Sequence, residues 1–281
     1  MANRLHQAAR YSGPLKAAIL DWSGTTVDKY VIAPAVCFVE VFNKHKVPIT
    51  MPEARKPMGL RKDLHIKAIL EQPAVRDRWH QQYNRDPNQG DVDNMFRDFV
   101  PLQLEVLPKY SGLLPGCIEA VDILRNKLHM KIGCTTGFTK PMVDILLYRA
   151  KKQGFVPDSS VAGDEVINGA RPKPFMVYRN LDLLNVHPIQ AVVKVDDTAS
   201  GIGEALQAGC WGVGVARYSN YMDIDSFEHE QSLSVDEIEA RVEKSREILR
   251  NSGAHYVIDS IAELPEVAVD INERLAGGEL P

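Results

Sequence analysis

The side chains best suited to chemistry stand where short apolar runs break into turns, and the first of them is Asp21. The run 17–20 has the length of a buried strand, and the polar turn 23–26 follows Asp21. A carboxylate at the end of a buried strand is costly unless a cation compensates its charge. Because ligands of open α/β sheets bind at this end, Asp21 is predicted to be a metal ligand, a nucleophile or both. The alternative is an aspartate that caps a turn.

Two later apolar runs also end in polar pairs. The run 130–134 ends in Thr135 and Thr136, and the run 191–195 ends in Asp196 and Asp197. In a parallel sheet the carboxyl ends of the strands lie at one edge, so these side chains are expected to converge on Asp21. A single polar strand end could be explained by a turn, but three of them favour a shared functional site.

A basic loop, 168–174, lies between the second and the third of these strand ends. It carries Arg171 and Lys173, and a proline stands on each side of Lys173. The prolines stiffen the loop, which suits it to hold a cation at a fixed place. Arg171 is therefore predicted to neutralise an anion at the site, the alternative being a solvated loop cation.

These residue types predict a magnesium site that binds a phosphoryl group. Two carboxylates, Asp21 and Asp197, with a backbone carbonyl near Ser23, make the hard oxygen set that Mg²⁺ prefers. The metal and Arg171 would neutralise a phosphoryl group as it approaches an anionic nucleophile. A hydroxyl from one of two threonines and backbone N–H groups would bind its oxygens. The predicted phosphate-binding and substrate-binding residues are Ser23, Gly24, Thr135, Thr136, Gly137 and Arg171.

Composition excludes several classes of function. The 281 residues carry a net charge of −4, which gives no basic footprint for nucleic acid or anionic lipid. No apolar run reaches the roughly 18 residues of a membrane span, and the N-terminus lacks the apolar core of a signal peptide. A cytoplasmic protein with a small-molecule substrate is expected. The four cysteines lack metal-ligand spacing and are interpreted as reduced thiols: Cys37, Cys117, Cys134 and Cys210.

Strand and helix signals alternate along most of the chain, which predicts a doubly wound, parallel, Rossmann-like α/β sheet. Between residues 29 and 112 only helix signals occur, directly after the first predicted strand. This block is interpreted as an inserted, all-helical cap domain. The predicted division is a core of residues 1–28 and 113–281 and a cap of residues 29–112.

The order of these motifs resembles that of the haloacid dehalogenase (HAD) superfamily, over residues 15 to 216. The stretch 21–28, DWSGTTVD, is similar to its first motif. The resemblance implies that Asp21 is a nucleophile that forms an aspartyl-phosphate. Ordinary phosphatases of this superfamily carry a second aspartate two residues further on, where this chain has Ser23. The chain is therefore expected not to be an ordinary phosphomonoesterase, unless the acid comes from elsewhere.

A second stretch, EARKPMGLRKDLH at 53–65, lies in the predicted cap. Lys62 and His65 are three residues apart and share one helix face. From spacing alone, a solvated lysine is the ordinary reading. Together with the first motif and TTGFT at 135–139, however, the stretch resembles the phosphonoacetaldehyde hydrolase (phosphonatase) family. This implies that Lys62 forms a Schiff base with an aldehyde, that Met58 and His65 line the site and assist, and that the protein is a homodimer through its cap.

The resemblance also accounts for Ser23. Breaking a C–P bond directly would expel a carbanion, whereas an iminium at the adjacent carbon accepts those electrons and gives an enamine. No acid is then needed on a leaving oxygen. A lysine beside Mg²⁺ and Arg171 is expected to have a lowered pKa, through like charge and desolvation. The expected reaction is hydrolysis of phosphonoacetaldehyde to acetaldehyde and phosphate.

Several positions depart from the family pattern. Ser23 replaces an alanine, Phe138 a tyrosine and Val31 a cysteine. Asp196 stands where some members have glycine, and Gly201 stands where some have an acid, so Gly201 is left out of the predicted metal site. None of these changes touches the predicted nucleophiles or Arg171.

Three alternatives remain open from the sequence. A generic capped HAD phosphatase acting on a phosphate monoester would make Lys62 dispensable. A dehalogenase would need no Mg²⁺, although the acidic pair 196–197 argues against it. A binding module without activity could keep the fold, although a retained Asp21 and Lys62 argue against it.

Overall fold

The computed structural model describes residues 11–281 and, within them, one sheet of six parallel strands. The strands are β1 Ala17–Asp21, β2 Lys131–Thr136, β3 Ser159–Ala162, β4 Val192–Asp196, β5 Trp211–Val215 and β6 Tyr256–Ile258. Their order across the sheet is β3-β2-β1-β4-β5-β6. The predicted doubly wound parallel sheet is confirmed.

The register of the central strands aligns the predicted site residues. Asp21 pairs with Thr135 of β2, and Leu20 pairs with Val195 of β4. The polar ends of all three strands therefore lie at one edge of the sheet, as parallel pairing requires. Every residue of β1 and of β4 is buried.

Five α-helices occupy residues 29–112, and no described residue there belongs to a named strand. Asn88 and Asp91 form a capping box that starts the last of these helices at Gln89. The apolar side chains of Phe38, Val41 and Phe42 on the first of these helices are buried. The helices are α1 Ile32–Lys44, α2 Met51–Arg55, α3 Lys62–Leu70, α4 Pro73–Tyr83 and α5 Gln89–Val106.

Seven further α-helices cover the sheet and its edge. They are α6 Cys117–Asn126, α7 Lys140–Lys152, α8 Phe175–Leu184, α9 Ala199–Ala208, α10 Phe227–Ser232, α11 Val235–Asn251 and α12 Leu264–Ala276. Alternate residues of β1 face opposite layers. Ile19 packs with residues of α8 and α9, and Leu20 packs with residues of α6, α7 and α12. Short 3₁₀ helices span Lys29–Val31, Leu107–Tyr110, Ile189–Ala191, Asn220–Met222 and Ile261–Glu263.

The two segments that join the helical block to the rest of the chain lie side by side. Val27 forms an antiparallel bridge with Leu113, and the Leu114 N–H donates to the Thr26 carbonyl at 2.8 Å. We propose boundaries here, with 29–112 as the cap and 1–28 with 113–281 as the core. The part of this division at residues 1–10 lies outside the described residues. In the described chain, no helix combines the length and apolar character needed to cross a membrane.

Candidate active site

Asp21 stands at the end of β1 in direct contact with Arg171. Its Oδ1 accepts a hydrogen bond from the Arg171 Nη2 at 2.7 Å. Both side chains are buried, and Asp21 is 5% exposed. Burial raises the pKa of Asp21, while the Arg171 guanidinium opposes that rise. The ion pair is therefore what favours the anionic, nucleophilic form.

Arg171 is itself held from several sides. Its Nη2 donates to the Thr135 hydroxyl at 2.8 Å and lies 3.1 Å from the Asp196 Oδ2. Its Nε donates to the Glu204 Oε2 at 3.0 Å. The sequence predicted the arginine but missed Glu204, which is fully buried on α9. A glutamate on the apolar face of that helix was the available signal.

Asp196 serves as a buried counter-ion. Its Oδ2 accepts from the Lys194 Nζ at 2.6 Å, and its Oδ1 accepts from the Thr198 hydroxyl at 2.7 Å and from the Thr198 N–H at 3.0 Å. Burial raises the pKa of Asp196, but Arg171 and Lys194 more than offset it, so the pKa lies below its ordinary value. Lys194 was also missed, although a lysine inside the apolar run 191–195 is an unusual feature.

Asp197 has the opposite environment. Its Oδ2 accepts from the Asn220 N–H at 2.8 Å, whereas its buried Oδ1 has no hydrogen-bond partner among the described residues. Burial raises the pKa of Asp197 well above its ordinary value, and the negative charges of Asp196 and Asp21 add to the rise. An ionised Asp197 therefore requires a further cation, which fits a metal site.

The three carboxylates offer oxygens within 4.8 Å of one another. Asp196 is the least suitable ligand, because donors already occupy both of its oxygens. Asp21 and Asp197 each retain an oxygen without a described protein donor. Asp21 and Asp197 are therefore the two carboxylates better suited to hold a divalent cation, and the metal site stays a prediction.

A small cavity of about 20 Å³ lies over this edge, between the core and the cap. Among its walls are Asp21, Ser23, Thr136, Gly137, Arg171 and Asp197 from the core, and Val31, Pro34, Met58, Gly59 and Lys62 from the cap. Eight of the eleven site residues predicted from the sequence therefore line this cavity. Thr135, Gly24 and His65 do not line it.

Two predicted phosphate-binding groups are engaged elsewhere. The Gly24 N–H donates to the Val27 carbonyl at 2.7 Å, so it forms the turn and is not free to bind a phosphoryl oxygen. The Thr135 hydroxyl binds Arg171. Thr136 borders the cavity and is the better placed of the two threonines.

Lys62 enters the cavity from the start of α3 and is only 4% exposed. Its nitrogen lies 4.6 Å from the ring centroid of Phe138 and 5.7 Å from that of Phe38. Burial lowers the pKa of Lys62 to about 8; Asp21 opposes this and Arg171 adds to it. A neutral, nucleophilic amine is consequently accessible close to neutral pH.

His65 lies behind Lys62, fully buried and stacked on Phe38 with centroids 3.9 Å apart. Its Nε2 lies 2.7 Å from the Ala54 carbonyl, which can only accept, so Nε2 carries the proton. Burial and the charge of Lys62 hold the pKa of His65 well below its ordinary value. The buried Nδ1, which has no partner among the described residues, is then an unprotonated nitrogen with a free lone pair.

No family model matches the chain. The structure of a HAD hydrolase of family IA, variant 3, from Entamoeba histolytica aligns with a TM-score of 0.62 at 19% identity, covering 92% of this chain and 100% of that one. The fold is that of the HAD hydrolases, a Rossmann-like core with a helical cap.

Higher similarity identifies the family. The crystal structure of a phosphonoacetaldehyde hydrolase like protein from Oleispira antarctica gives a TM-score of 0.92 at 38% identity, covering 97% of this chain and 98% of that one. The phosphonoacetaldehyde hydrolase of Syntrophobacter fumaroxidans is 41% identical over 271 residues, which are 96% of this chain and 97% of that protein. The chain belongs to the phosphonoacetaldehyde hydrolase family, and the resemblance found in the sequence is confirmed.

Proposed function

We propose that this protein hydrolyses the C–P bond of phosphonoacetaldehyde to acetaldehyde and phosphate. The observation that carries the proposal is the buried Lys62 amine, which shares one cavity with the Asp21 carboxylate. An amine activates an aldehyde, and a carboxylate paired with Arg171 accepts a phosphoryl group. A phosphonate aldehyde presents both functions on adjacent carbons.

The first step joins Lys62 to the aldehyde. The neutral amine adds to the carbonyl carbon, water leaves, and the resulting imine is protonated to an iminium. The Nδ1 lone pair of His65 is suited to assist proton transfer at the amine. Met58 is 5% exposed and forms part of the apolar wall that keeps bulk water from the imine.

The second step transfers phosphorus to Asp21. A carboxylate oxygen attacks phosphorus, the C–P bond breaks, and its electron pair moves through the carbon skeleton to the iminium nitrogen. An enamine and an aspartyl-phosphate result. The enamine is protonated on carbon and hydrolysed to acetaldehyde and free Lys62, and a second water cleaves the aspartyl-phosphate to phosphate and Asp21.

The remaining core residues bind and orient the phosphonate. Arg171, the Thr136 hydroxyl and the backbone at Ser23 and Gly137 are the proposed contacts for its oxygens. Mg²⁺ held by Asp21, Asp197 and the Ser23 carbonyl would supply the positive charge that lets an anion attack an anion. Activity is expected to be lost in excess EDTA and restored by Mg²⁺.

The deciding experiment measures acetaldehyde and phosphate from phosphonoacetaldehyde, with Lys62→Arg alongside the wild type. Arginine keeps the positive charge but forms no imine, so both products should disappear. Borohydride added with acetaldehyde should produce a mass increase on the Lys62 peptide of the wild type alone.

A phosphate monoesterase is the competing function. It predicts no borohydride adduct and an undiminished ester hydrolysis in Lys62→Arg. The burial and the lowered pKa of Lys62 favour the phosphonate reaction, because a dispensable lysine has no reason to be desolvated.

A cytoplasmic homodimer that associates through the cap completes the proposal. Its support is the family resemblance, together with four cysteines that are all free and buried. Light scattering at micromolar concentration checks the dimer, and a monomeric mass would reject it.

A further inference from the structure

Arg55 is a cap residue that binds almost entirely to groups outside the cap helices. It ends α2 and is 2% exposed. Its Nη2 donates to the Ile224 carbonyl at 2.6 Å, and its Nη1 donates to the Tyr30 carbonyl at 2.6 Å. Among the described residues, its one carboxylate partner is the part-exposed Asp225, 3.1 Å from Nε. Neutral acceptors dominate, so the contact depends on the shape of the guanidinium fork and not on charge alone.

Asn220 of the core completes this contact from the other side. Its Oδ1 accepts from the Arg55 Nη1 at 3.2 Å, and its Nδ2 donates to the Arg55 carbonyl at 3.1 Å. The side chain of one core residue thus binds both the side chain and the main chain of one cap residue. Asn220 is 2% exposed, so these bonds are made away from solvent.

The same asparagine is bound to the proposed metal site through its backbone. Its N–H donates to the Asp197 carboxylate at 2.8 Å, and the neighbouring Ser219 hydroxyl donates to the Asp197 carbonyl at 2.8 Å. One residue therefore connects the core carboxylate to the cap segment that follows α2.

That segment, 56–61, leads directly to the reactive lysine. It crosses the core so closely that a Cβ on Gly137 would overlap the Leu60 carbonyl. Met58 and Gly59 line the cavity, and Lys62 starts α3 immediately afterwards. A displacement at Arg55 is therefore expected to move the lysine relative to Asp21.

We infer that Arg55 and Asn220 form a latch that sets the position of Lys62 over the core, making Arg55 a positioning residue for the imine half of the reaction. The inference rests on the proposed function. The latch predicts that one of the two reactions is lost without the other. Opening it impairs chemistry at Lys62 and leaves chemistry at Asp21 intact, since Asp197 keeps its bond to the Asn220 backbone.

The test uses Arg55→Lys, Asn220→Ser, the double variant and Arg76→Lys in the full-length protein with Mg²⁺. Arg76 is the matched control, a cap arginine that binds Asp86 of the cap in two hydrogen bonds and makes no core contact among the described residues. Two rates are measured for each protein. One is borohydride trapping of acetaldehyde on Lys62. The other is release of phosphate from acetyl phosphate, whose acetate leaving group needs neither the lysine nor a proton donor.

Each latch variant should lose about tenfold in trapping rate, as expected for about 1.4 kcal/mol of lost positioning, and should keep acetyl phosphate hydrolysis within about twofold. The double variant should be no slower than the slower single variant, because both changes break one contact. Equal loss of both rates, or unchanged trapping, would overturn the latch. Absence of trapping in the wild type would instead reject the proposed function.

A measurement that does not depend on catalysis tests the latch even if the wild type shows no trapping. Backbone hydrogen exchange in the peptide that spans 51–61 should accelerate in Arg55→Lys and Asn220→Ser and stay unchanged in Arg76→Lys. Protection equal to that of the wild type in the latch variants would reject the latch, whatever the reaction proves to be.

Discussion

The cavity has two walls, and each presents a buried ionisable side chain. The two side chains differ in whether charged or aromatic groups surround them. On the core wall, Asp21 lies within a network of ionised groups that includes Arg171, Asp196 and Lys194. On the cap wall, Lys62 lies near two aromatic rings, that of Phe38 in the cap and that of Phe138 in the core. Both side chains are almost inaccessible to solvent.

The difference matches what each of the two proposed nucleophiles, Asp21 and Lys62, requires. A carboxylate attacks only as an anion, so its burial must be compensated by neighbouring cations. An amine attacks only when neutral, so uncompensated burial activates it. On the core wall, charged side chains contact Asp21 and keep it ionised. On the cap wall, no charged side chain is in direct contact with Lys62 among the described residues. Two half-reactions with opposite electrostatic needs can then take place in one small cavity.

The largest effect is expected from a substitution of Asp21, which should abolish the reaction of the core wall and leave that of the cap wall. Asp21→Asn removes the carboxylate nucleophile and should lower phosphate release from phosphonoacetaldehyde by roughly 10⁴-fold or more. Imine formation does not involve that oxygen, so borohydride should still trap acetaldehyde on Lys62. Mass spectrometry of the trapped protein, beside a phosphate assay, measures both. Loss of trapping would mean that the two walls depend on each other.

The next effect tests the charged network of the core wall. Glu204→Gln keeps the shape of the side chain but removes the charge that faces the Arg171 Nε. A hydrogen bond to a charged group contributes about 1.5–3 kcal/mol, so kcat/KM should fall by roughly 10- to 100-fold. The trapping rate at Lys62 should be unchanged. A matched loss of both rates would show that Glu204 supports the whole fold.

The sequence predicted the core wall better than the cap wall, for a physical reason. Asp21, the threonine pair and Asp197 end apolar runs, and parallel pairing alone brings strand ends together. The counter-ions Lys194 and Glu204 lie inside apolar segments, where composition suggests only core. No local pattern could give the hydrogen bond between Thr135 and Arg171, because these residues lie 36 positions apart.

The cap wall was predicted through the family resemblance and not through spacing. A lysine three residues before a histidine on a helix is ordinary, and nothing local says that Phe38 and Phe138 enclose it. The contact between Arg55 and Asn220 joins residues 165 positions apart, beyond the reach of any local pattern.

A third prediction concerns the space around Asp196. A Cβ on Gly201 would overlap the Asp196 carboxyl group, so Gly201→Ala must displace that carboxylate from Lys194 and Arg171. Overpacking of this kind costs about 1–3 kcal/mol in the free energy of unfolding, which urea denaturation measures. Gly203→Ala, on the same helix, meets only Pro172 at 3.3 Å and is the matched control.

The same geometry predicts a rescue. In Asp196→Gly, an aspartate introduced at position 201 grows into the space that the Asp196 carboxyl group has vacated. The double variant, D196G with G201D, should recover most of the stability and activity that Gly201→Ala loses. A double variant no better than Gly201→Ala would show that Lys194 and Arg171 need the carboxylate from the strand itself.

The smallest expected effect tests the cap wall. If Lys62 must be neutral in the free enzyme, kcat/KM should rise with pH, reach half of its plateau near pH 8, the pKa that burial gives the amine, and level off above that pH. The Phe138 ring lies 4.6 Å from the nitrogen and stabilises the ammonium form by a cation–π contact. Such a contact contributes about 0.5–1 kcal/mol, so Phe138→Leu, which stays apolar, should move this limb about 0.5 pH lower. Phe155→Leu, whose ring packs on Trp22, should leave it in place. A limb that moves upward would mean that the Phe138 ring acts by desolvation alone and does not stabilise the ammonium form.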